Sequence, residues 1–63
     1  MDRNKLKSMI AHWIEHSKEH TAKYYEWAEK LSKDLPEVSE LLIKAAKYFE
    51  EGEKYLEQAS KKI

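Results

Sequence analysis

Three histidines, His12, His16 and His20, recur every four residues in the first third of the chain and are its only histidines. On an α-helix, residues four apart lie on one face with about 5–6 Å between their Cβ atoms, so two imidazoles can bind one cation. Each step of four also advances about 40° around the helix. We therefore predict that the row moves from the flank at His12 to the interior at His20. His12 and His16 are then the accessible chelating pair, with His20 as a third ligand.

Two carboxylates accompany this row, because Glu15 and Glu19 each follow a histidine by three residues. They could add a ligand, or accept a hydrogen bond from an imidazole and orient it. Nitrogen and oxygen donors without a thiolate favour Zn, Ni, Cu or Co over Ca or Mg. One helix does not supply a closed coordination sphere, so a second copy of the chain or water would complete it.

The same residues also allow a reading without a metal. A histidine in a helix seam beside Ser17 can be a core polar residue that bonds to a hydroxyl or a carbonyl and sets the helix register. His12 and His16 would then be solvated surface residues. The zinc-protease pattern HExxH is absent, because Trp13 follows His12. No serine or acidic cluster forms a recognisable catalytic arrangement, so we predict that the protein is not an enzyme.

Two long segments would position the histidines, since each carries the four-then-three apolar spacing of paired α-helices. The predicted seam positions are Leu6, Ile10, Trp13, Ser17, His20, Tyr24, Trp27 and Leu31, then Val38, Leu42, Ala45, Phe49, Gly52, Leu56, Ala59 and Ile63. Pro36 suits the first turn of a helix and disfavours helical geometry at Leu35. The prediction is an all-α fold, one domain over residues 1–63, with helices at about 3–33 and 36–62 that run antiparallel because their connection is short.

The predicted register pairs residues whose numbers add to about 69, for example Ser17 with Gly52 and Tyr24 with Ala45. Gly52 costs a helix about 1 kcal/mol relative to Ala. We therefore expect a packing reason for this glycine, either the close approach of a backbone or room for a tryptophan.

Size predicts self-association. A single 63-residue chain of 7.5 kDa buries only about 60% of its unfolded surface, and without Cys no disulfide or zinc ribbon can stabilise it. More apolar residues adjoin the predicted seam: Ile14, Tyr25, Leu41, Ile43, Tyr48 and Tyr55. We predict a homodimer in which two hairpins form a four-helix bundle. Other homo-oligomers are the main alternative to the dimer, and an unidentified protein partner is also possible.

Charge and composition exclude several functional classes and indicate where the protein is located. Twelve basic and twelve acidic residues give zero net charge, which lacks the basic footprint of a nucleic-acid binder and does not suit an anionic membrane surface. No apolar run approaches the roughly 20 residues of a membrane span, and no signal peptide is recognisable, so we expect a cytoplasmic location. Asn4 and Gln58 are the only amide side chains, a composition typical of thermophiles.

The run HWIEH at 12–16, with His20 four residues later and WAEK at 27–30, resembles a family of uncharacterised small helical domains in archaea and anaerobic bacteria. Their typical opening is HWIEHN with a further His, then a Trp-Ala-Glu-Lys stretch and an acidic, alanine-rich second helix. The resemblance covers about 12–56, although Ser17 replaces the usual Asn.

Some members of that family are joined to a small β domain similar to the CooT-type nickel-binding proteins. The resemblance therefore implies metal handling, with nickel as the implied ion, although these 63 residues include no such β domain. The overall prediction is a transition-metal-binding module for nickel, zinc or copper. The alternative is a structural or protein-interaction module, a homodimeric bundle whose histidines only pack.

Overall fold

Two α-helices account for nearly the whole chain in the computed structural model, which describes all 63 residues. Helix α1 spans Arg3–Leu31 and helix α2 spans Pro36–Lys61. The predicted all-α pair of helices is confirmed, and the helices end two residues and one residue before their predicted ends. Neither helix has a segment both long and apolar enough to cross a membrane.

The helix boundaries follow from local chemistry. Asp2 caps α1, because its carboxylate accepts a hydrogen bond from the backbone N–H of Lys5 at 3.0 Å. Pro36 begins α2, where its missing N–H leaves no donor unpaired. Leu35 adopts a non-helical conformation before it and donates its N–H to the carbonyl of Leu31 at 2.8 Å. The chain therefore reverses direction within a few residues.

Two side-chain hydrogen bonds between the helices define their pairing. Ser17 donates its hydroxyl to Glu53 at 2.6 Å, and Ser39 donates to the backbone carbonyl of Ala28, also at 2.6 Å. Residue numbers rise along α1 while those of their partners fall along α2, so the helices are antiparallel. Both pairs lie within about two residues of the predicted register. The resulting hairpin measures 50 × 14 × 12 Å.

The most buried positions of this hairpin differ from the predicted seam, although predicted seam residues such as Leu6, Leu42 and Leu56 are half-buried. The buried residues are Ile10, Thr21, Ala28, Ser39, Ala46 and Glu53. Of these only Ile10 was predicted at the seam. Each of the others follows a predicted seam residue by one position. Thr21, Ala28 and Glu53 are buried, whereas the preceding residues His20, Trp27 and Gly52 are exposed.

The physical reason for this difference is side-chain size and bonding. Apolar spacing selects the line with the largest hydrophobic residues, which contains Trp13 and Trp27. Small residues instead let two helices approach closely, and Ser17 and Ser39 satisfy their hydroxyls across the gap. Gly52 has no packing role within the hairpin, because an added Cβ would meet nothing within 4 Å.

The core of one chain is consequently small. Its buried hydrophobic residues are Ile10, Ala28 and Ala46, and no large side chain is fully buried. The accessible surface is 5380 Å², whereas a compact monomer of this mass exposes about 4,250 Å². The radius of gyration is 14.8 Å, against about 10.6 Å for a compact domain of this length. The hairpin therefore exposes far more surface than a compact monomer.

Candidate metal site

His16 and His20 form a converging pair on α1. Their Nε2 atoms lie 3.0 Å apart, within hydrogen-bond distance, so one ring donates and the other accepts. The ring planes stand nearly perpendicular, at 83°, with centroids 4.6 Å apart. Both side chains are exposed, so two imidazole nitrogens meet at one accessible point.

His12 does not join this point. Its ring stacks on that of His16, with centroids 6.1 Å apart and planes at 27°, while the Nε2 of His16 is turned to His20. The pair that converges is therefore His16 with His20, and not the predicted pair of His12 with His16.

The prediction that His20 lies in the seam is wrong. Thr21 occupies that position and donates its hydroxyl to the backbone carbonyl of Lys18 at 3.0 Å. His20 is exposed, as are His12 and His16, so the row does not enter the interior. Ser17 bonds to Glu53 across the seam rather than to a histidine, which also removes the reading of His20 as a buried register residue.

Glu15 and Glu19 do not complete a site within the chain. Both are exposed, and no group of three or more His, Cys, Asp or Glu side chains lies close enough to hold a metal ion. Each carboxylate precedes a histidine of the converging pair by one residue, which turns it about 100° away around the helix. One chain therefore presents two nitrogen ligands.

The geometry of this pair fits a metal ion. Metal-to-imidazole bonds of about 2.0–2.1 Å separate two nitrogens by about 2.9 Å at a right angle and by about 3.3 Å at a tetrahedral angle. The observed 3.0 Å lies between these values. The nitrogen separation is therefore compatible with one shared cation once the rings turn their lone pairs toward it, and other ligands would have to come from outside the chain.

Aromatic packing supports the pair from the side of α2. The ring of His20 stacks on Tyr24 with centroids 6.3 Å apart, and Tyr24 contacts Phe49 at 5.6 Å. The surface depression lined by Lys44, Lys47, Tyr48 and Glu51 contains none of the histidines. The pair is thus held by the hairpin itself.

One side of the hairpin is polar. Tyr25 donates its hydroxyl to Glu50 at 2.6 Å, and Lys18 lies 3.8 Å from Glu57. These bonds place the flank of α1 that carries Lys18 and Tyr25 on the same side as the flank of α2 that carries Glu50 and Glu57. We call this side the polar face.

The remaining flanks of the two helices therefore share the opposite side. On α1 it contains the line of Trp13, His20 and Trp27, one position before the seam, and on α2 the matching line contains Gly52. Exposed apolar side chains lie along these flanks, and we call this side the aromatic face: Met9, Trp13, Trp27, Val38, Leu41 and Phe49. Tyr48 and Tyr55 lie on the outer side of α2, where Tyr48 adjoins Lys44, Lys47 and Glu51. The histidine pair lies at its edge on α1, since His20 belongs to the same line as the tryptophans.

Sequence reasoning found the histidines but misplaced their surroundings. The seven-residue spacing of Trp13, His20 and Trp27 was visible, and it was assigned to the interior of one hairpin rather than to an outer face. Of the additional apolar residues predicted beside the seam, Leu41 lies on the aromatic face, Tyr25 belongs to the polar face, and Tyr48 and Tyr55 lie on the outer side of α2. Ile14 and Ile43 are half-buried.

Comparison with known proteins identifies relatives without a described activity. An uncharacterised protein of Archaeoglobus fulgidus is 38% identical over 55 residues, which cover 87% of this chain and 89% of that protein. No solved structure matches the chain. A family model described as a domain of unknown function, DUF8180, matches residues 6–63. That match includes both helices, the histidine pair and the aromatic face, and the chain therefore belongs to the DUF8180 family.

Proposed function

We propose that this protein is a non-catalytic, cytoplasmic transition-metal-binding module that acts as a homodimer in a four-helix bundle. The observation that carries the proposal is the 3.0 Å separation of the His16 and His20 Nε2 atoms. Two imidazoles whose nitrogens already lie this close on one helix would supply half of a four-coordinate site. Such preorganisation favours binding because little side-chain freedom remains to be lost.

The donor set selects the class of ion. Imidazole nitrogens without thiolate suit nickel, copper and zinc, and hard cations such as calcium prefer oxygen. Square-planar or octahedral nickel and copper, and tetrahedral zinc, all hold pairs of imidazole nitrogens at about 2.9–3.3 Å. The resemblance to domains that accompany CooT-like proteins favours nickel, which is the first ion to test.

The exposed position of the pair suits reversible binding. Two ligands per chain leave coordination positions for water or for a second protein. A module of this kind would store, sense or deliver an ion rather than catalyse a reaction with it.

The aromatic face supports a second candidate, a purely structural or interaction module. Trp13 and Trp27 are 45% and 52% exposed, which is unusual for such large apolar residues in a monomer. If this face serves assembly alone, the histidines need bind nothing. The two candidates make opposite predictions for metal uptake.

Calorimetry on tag-free protein separates them. We expect nickel to bind near pH 7 and to be lost near pH 5, because metal ligands must be deprotonated. The double variant His16→Ala, His20→Ala should abolish binding. His12→Ala is the matched control, since it removes an exposed histidine of the same helix that does not converge, and it should bind as the wild type does.

Two results would contradict the metal proposal. A stable dimer that takes up no nickel, zinc or copper would leave the interaction module as the function. Binding that survives in the double variant but disappears in His12→Ala would place the site elsewhere on α1.

A further inference from the structure

The aromatic face has the size of a protein interface. Its large apolar side chains are 42–64% exposed and by themselves leave roughly 600 Å² accessible. A specific interface buries about 800 Å² on each partner. The surface of the hairpin also exceeds that of a compact monomer by roughly 1,100 Å². One partner as wide and as long as the hairpin would bury an area similar to this excess surface.

The pattern of the face identifies that partner. On α1, Trp13 and Trp27 lie seven residues to either side of His20. On α2, Ala45 and Ala59 lie seven residues to either side of Gly52. Each line therefore carries the same residue type on both sides of its central residue. A surface that pairs with its own copy around a two-fold axis perpendicular to the helices requires such a palindromic pattern.

The two centres of symmetry lie at nearly the same height. The bond between Ser17 and Glu53 fixes the register of the helices at 2.6 Å and sets Gly52 opposite the turn between His16 and His20. At 1.5 Å per residue, the levels of His20 and Gly52 differ by only about 3 Å. An axis at the level of Gly52 therefore crosses α1 midway between His16 and His20, and it leaves Trp13 and Trp27 of the two copies offset by about 6 Å, roughly one helix turn.

We propose that a second copy of this chain packs antiparallel on the aromatic face, around a two-fold axis at the level of Gly52. Helix α1 then lies on α1 of the copy, and His16 faces His20 of the partner subunit. The two pairs form one site with four imidazole ligands. This last step rests on the proposed metal binding, whereas the packing of the two copies does not.

This arrangement explains Gly52. The hairpin alone has no need of a glycine there, since a Cβ would meet nothing within 4 Å, and the residue costs about 1 kcal/mol relative to Ala. In the dimer Gly52 meets Gly52 of the partner subunit, and Ala45 faces Ala59 of the partner subunit. Small residues allow the two α2 helices to approach closely, which draws the α1 helices and their imidazoles together.

Cysteine crosslinking tests the axis without any metal, because the natural chain has no Cys. Identical residues meet only close to a two-fold axis, and a disulfide needs Cα atoms about 4.4–6.8 Å apart. We expect Gly52→Cys to form a linked dimer under mild oxidation. Glu51→Cys, the adjacent exposed position, should remain unlinked. Linkage of both variants alike, or of neither, would overturn the proposed axis.

Gly52→Leu provides a second measurement. Leucine favours a helix and has open space in the single chain, so helix content by circular dichroism should persist. It should raise the dimer dissociation constant in sedimentation by roughly 100-fold or more, because the added side chain separates the two α2 helices. Glu51→Leu should leave the constant unchanged. An undiminished dimer in Gly52→Leu would contradict the close approach at this level.

The nickel stoichiometry tests the shared site. We expect one ion for two chains, bound by the dimer. One ion per chain, without crosslinking at position 52, would overturn this inference while the proposed metal function survives. Crosslinking at position 52 with no uptake of nickel, zinc or copper would leave the two-fold dimer intact and remove the shared site together with the proposed metal function.

Discussion

The seam inside the hairpin and the aromatic face outside it differ in the size and polarity of their side chains. The seam holds small and polar residues such as Thr21, Ala28 and Glu53, whereas the aromatic face displays Trp13 and Trp27. A monomer usually buries its largest apolar residues first. The difference indicates that close approach and hydrogen bonds help Ile10 and the half-buried Leu and Ile residues to hold the two helices together, and that the tryptophans contribute little to the hairpin itself.

The largest expected effect comes from removing the tryptophans of the aromatic face. Trp13→Ala with Trp27→Ala should raise the dimer dissociation constant by roughly 1,000-fold or more, since aromatic anchors dominate interface energies. Sedimentation velocity across a range of protein concentrations measures this constant. Tyr25→Ala, an aromatic residue of the polar face, is the control and should dimerise nearly as the wild type does. An equal loss of dimer affinity in both variants would mean that the aromatic face is not the preferred interface.

Overpacking the seam should have the next largest effect. Ala46 is completely buried between the helices, so Ala46→Leu should lower the free energy of unfolding by about 1–3 kcal/mol. Ala22→Leu is the matched control, because Ala22 is exposed on α1. Urea denaturation at one fixed protein concentration gives both values. A neutral Ala46→Leu would mean that the helices are not closely packed at this point.

The buried polar pair offers a sharper test of the seam. Glu53 is 6% exposed and accepts the hydroxyl of Ser17, so Ser17→Ala leaves a buried carboxylate without its donor. We expect a loss of about 1–2 kcal/mol. Adding Glu53→Leu should recover most of it, because an apolar pair no longer requires the bond. If the double variant is no more stable than Ser17→Ala, the seam does not depend on this pairing.

The smallest expected effect is a loss of stability at alkaline pH, when Tyr25 on the polar face loses its proton. The hydrogen bond to Glu50, with smaller effects from desolvation and from the charge of Glu50, raises the pKa of Tyr25 above its ordinary value. The folded pKa exceeds the unfolded one, so this contribution to stability is complete below about pH 10. It is lost as the pH rises through the folded value.

The comparison that isolates this effect is between the wild type and Tyr25→Phe. Their difference in free energy of unfolding, from urea denaturation at several pH values, should be constant up to about pH 10 and shrink above it. Tyr48→Phe, a more exposed tyrosine at 78%, should show no such change. A difference that grows with alkalinity would contradict the assigned bond.

Much of the fold could be predicted from the residues. The heptad spacing and Pro36 located both helices to within two residues, and the short connection made them antiparallel. The histidines were recognised as the residues most capable of chemistry. The predicted chelating pair of His12 and His16 is not the pair whose nitrogens converge in the structure, and helical spacing is identical for His12 with His16 and for His16 with His20. Only the ring orientations, which depend on the neighbouring Tyr24 and Phe49, distinguish the two pairs.

The sequence by itself determined two amphipathic helices, their boundaries and a row of imidazoles along the first. The tertiary structure decided which line of each helix faces inward. On α1, the line of Trp13, His20 and Trp27 and the line of Thr21 and Ala28 differ by one residue, or about 100° of rotation. Both lines have a seven-residue period. Apolar spacing cannot separate them, because both lines carry apolar residues at this period. Side-chain volume and the cross-helix bonds of Ser17 and Ser39 select the inner line, and the histidines and tryptophans remain outside.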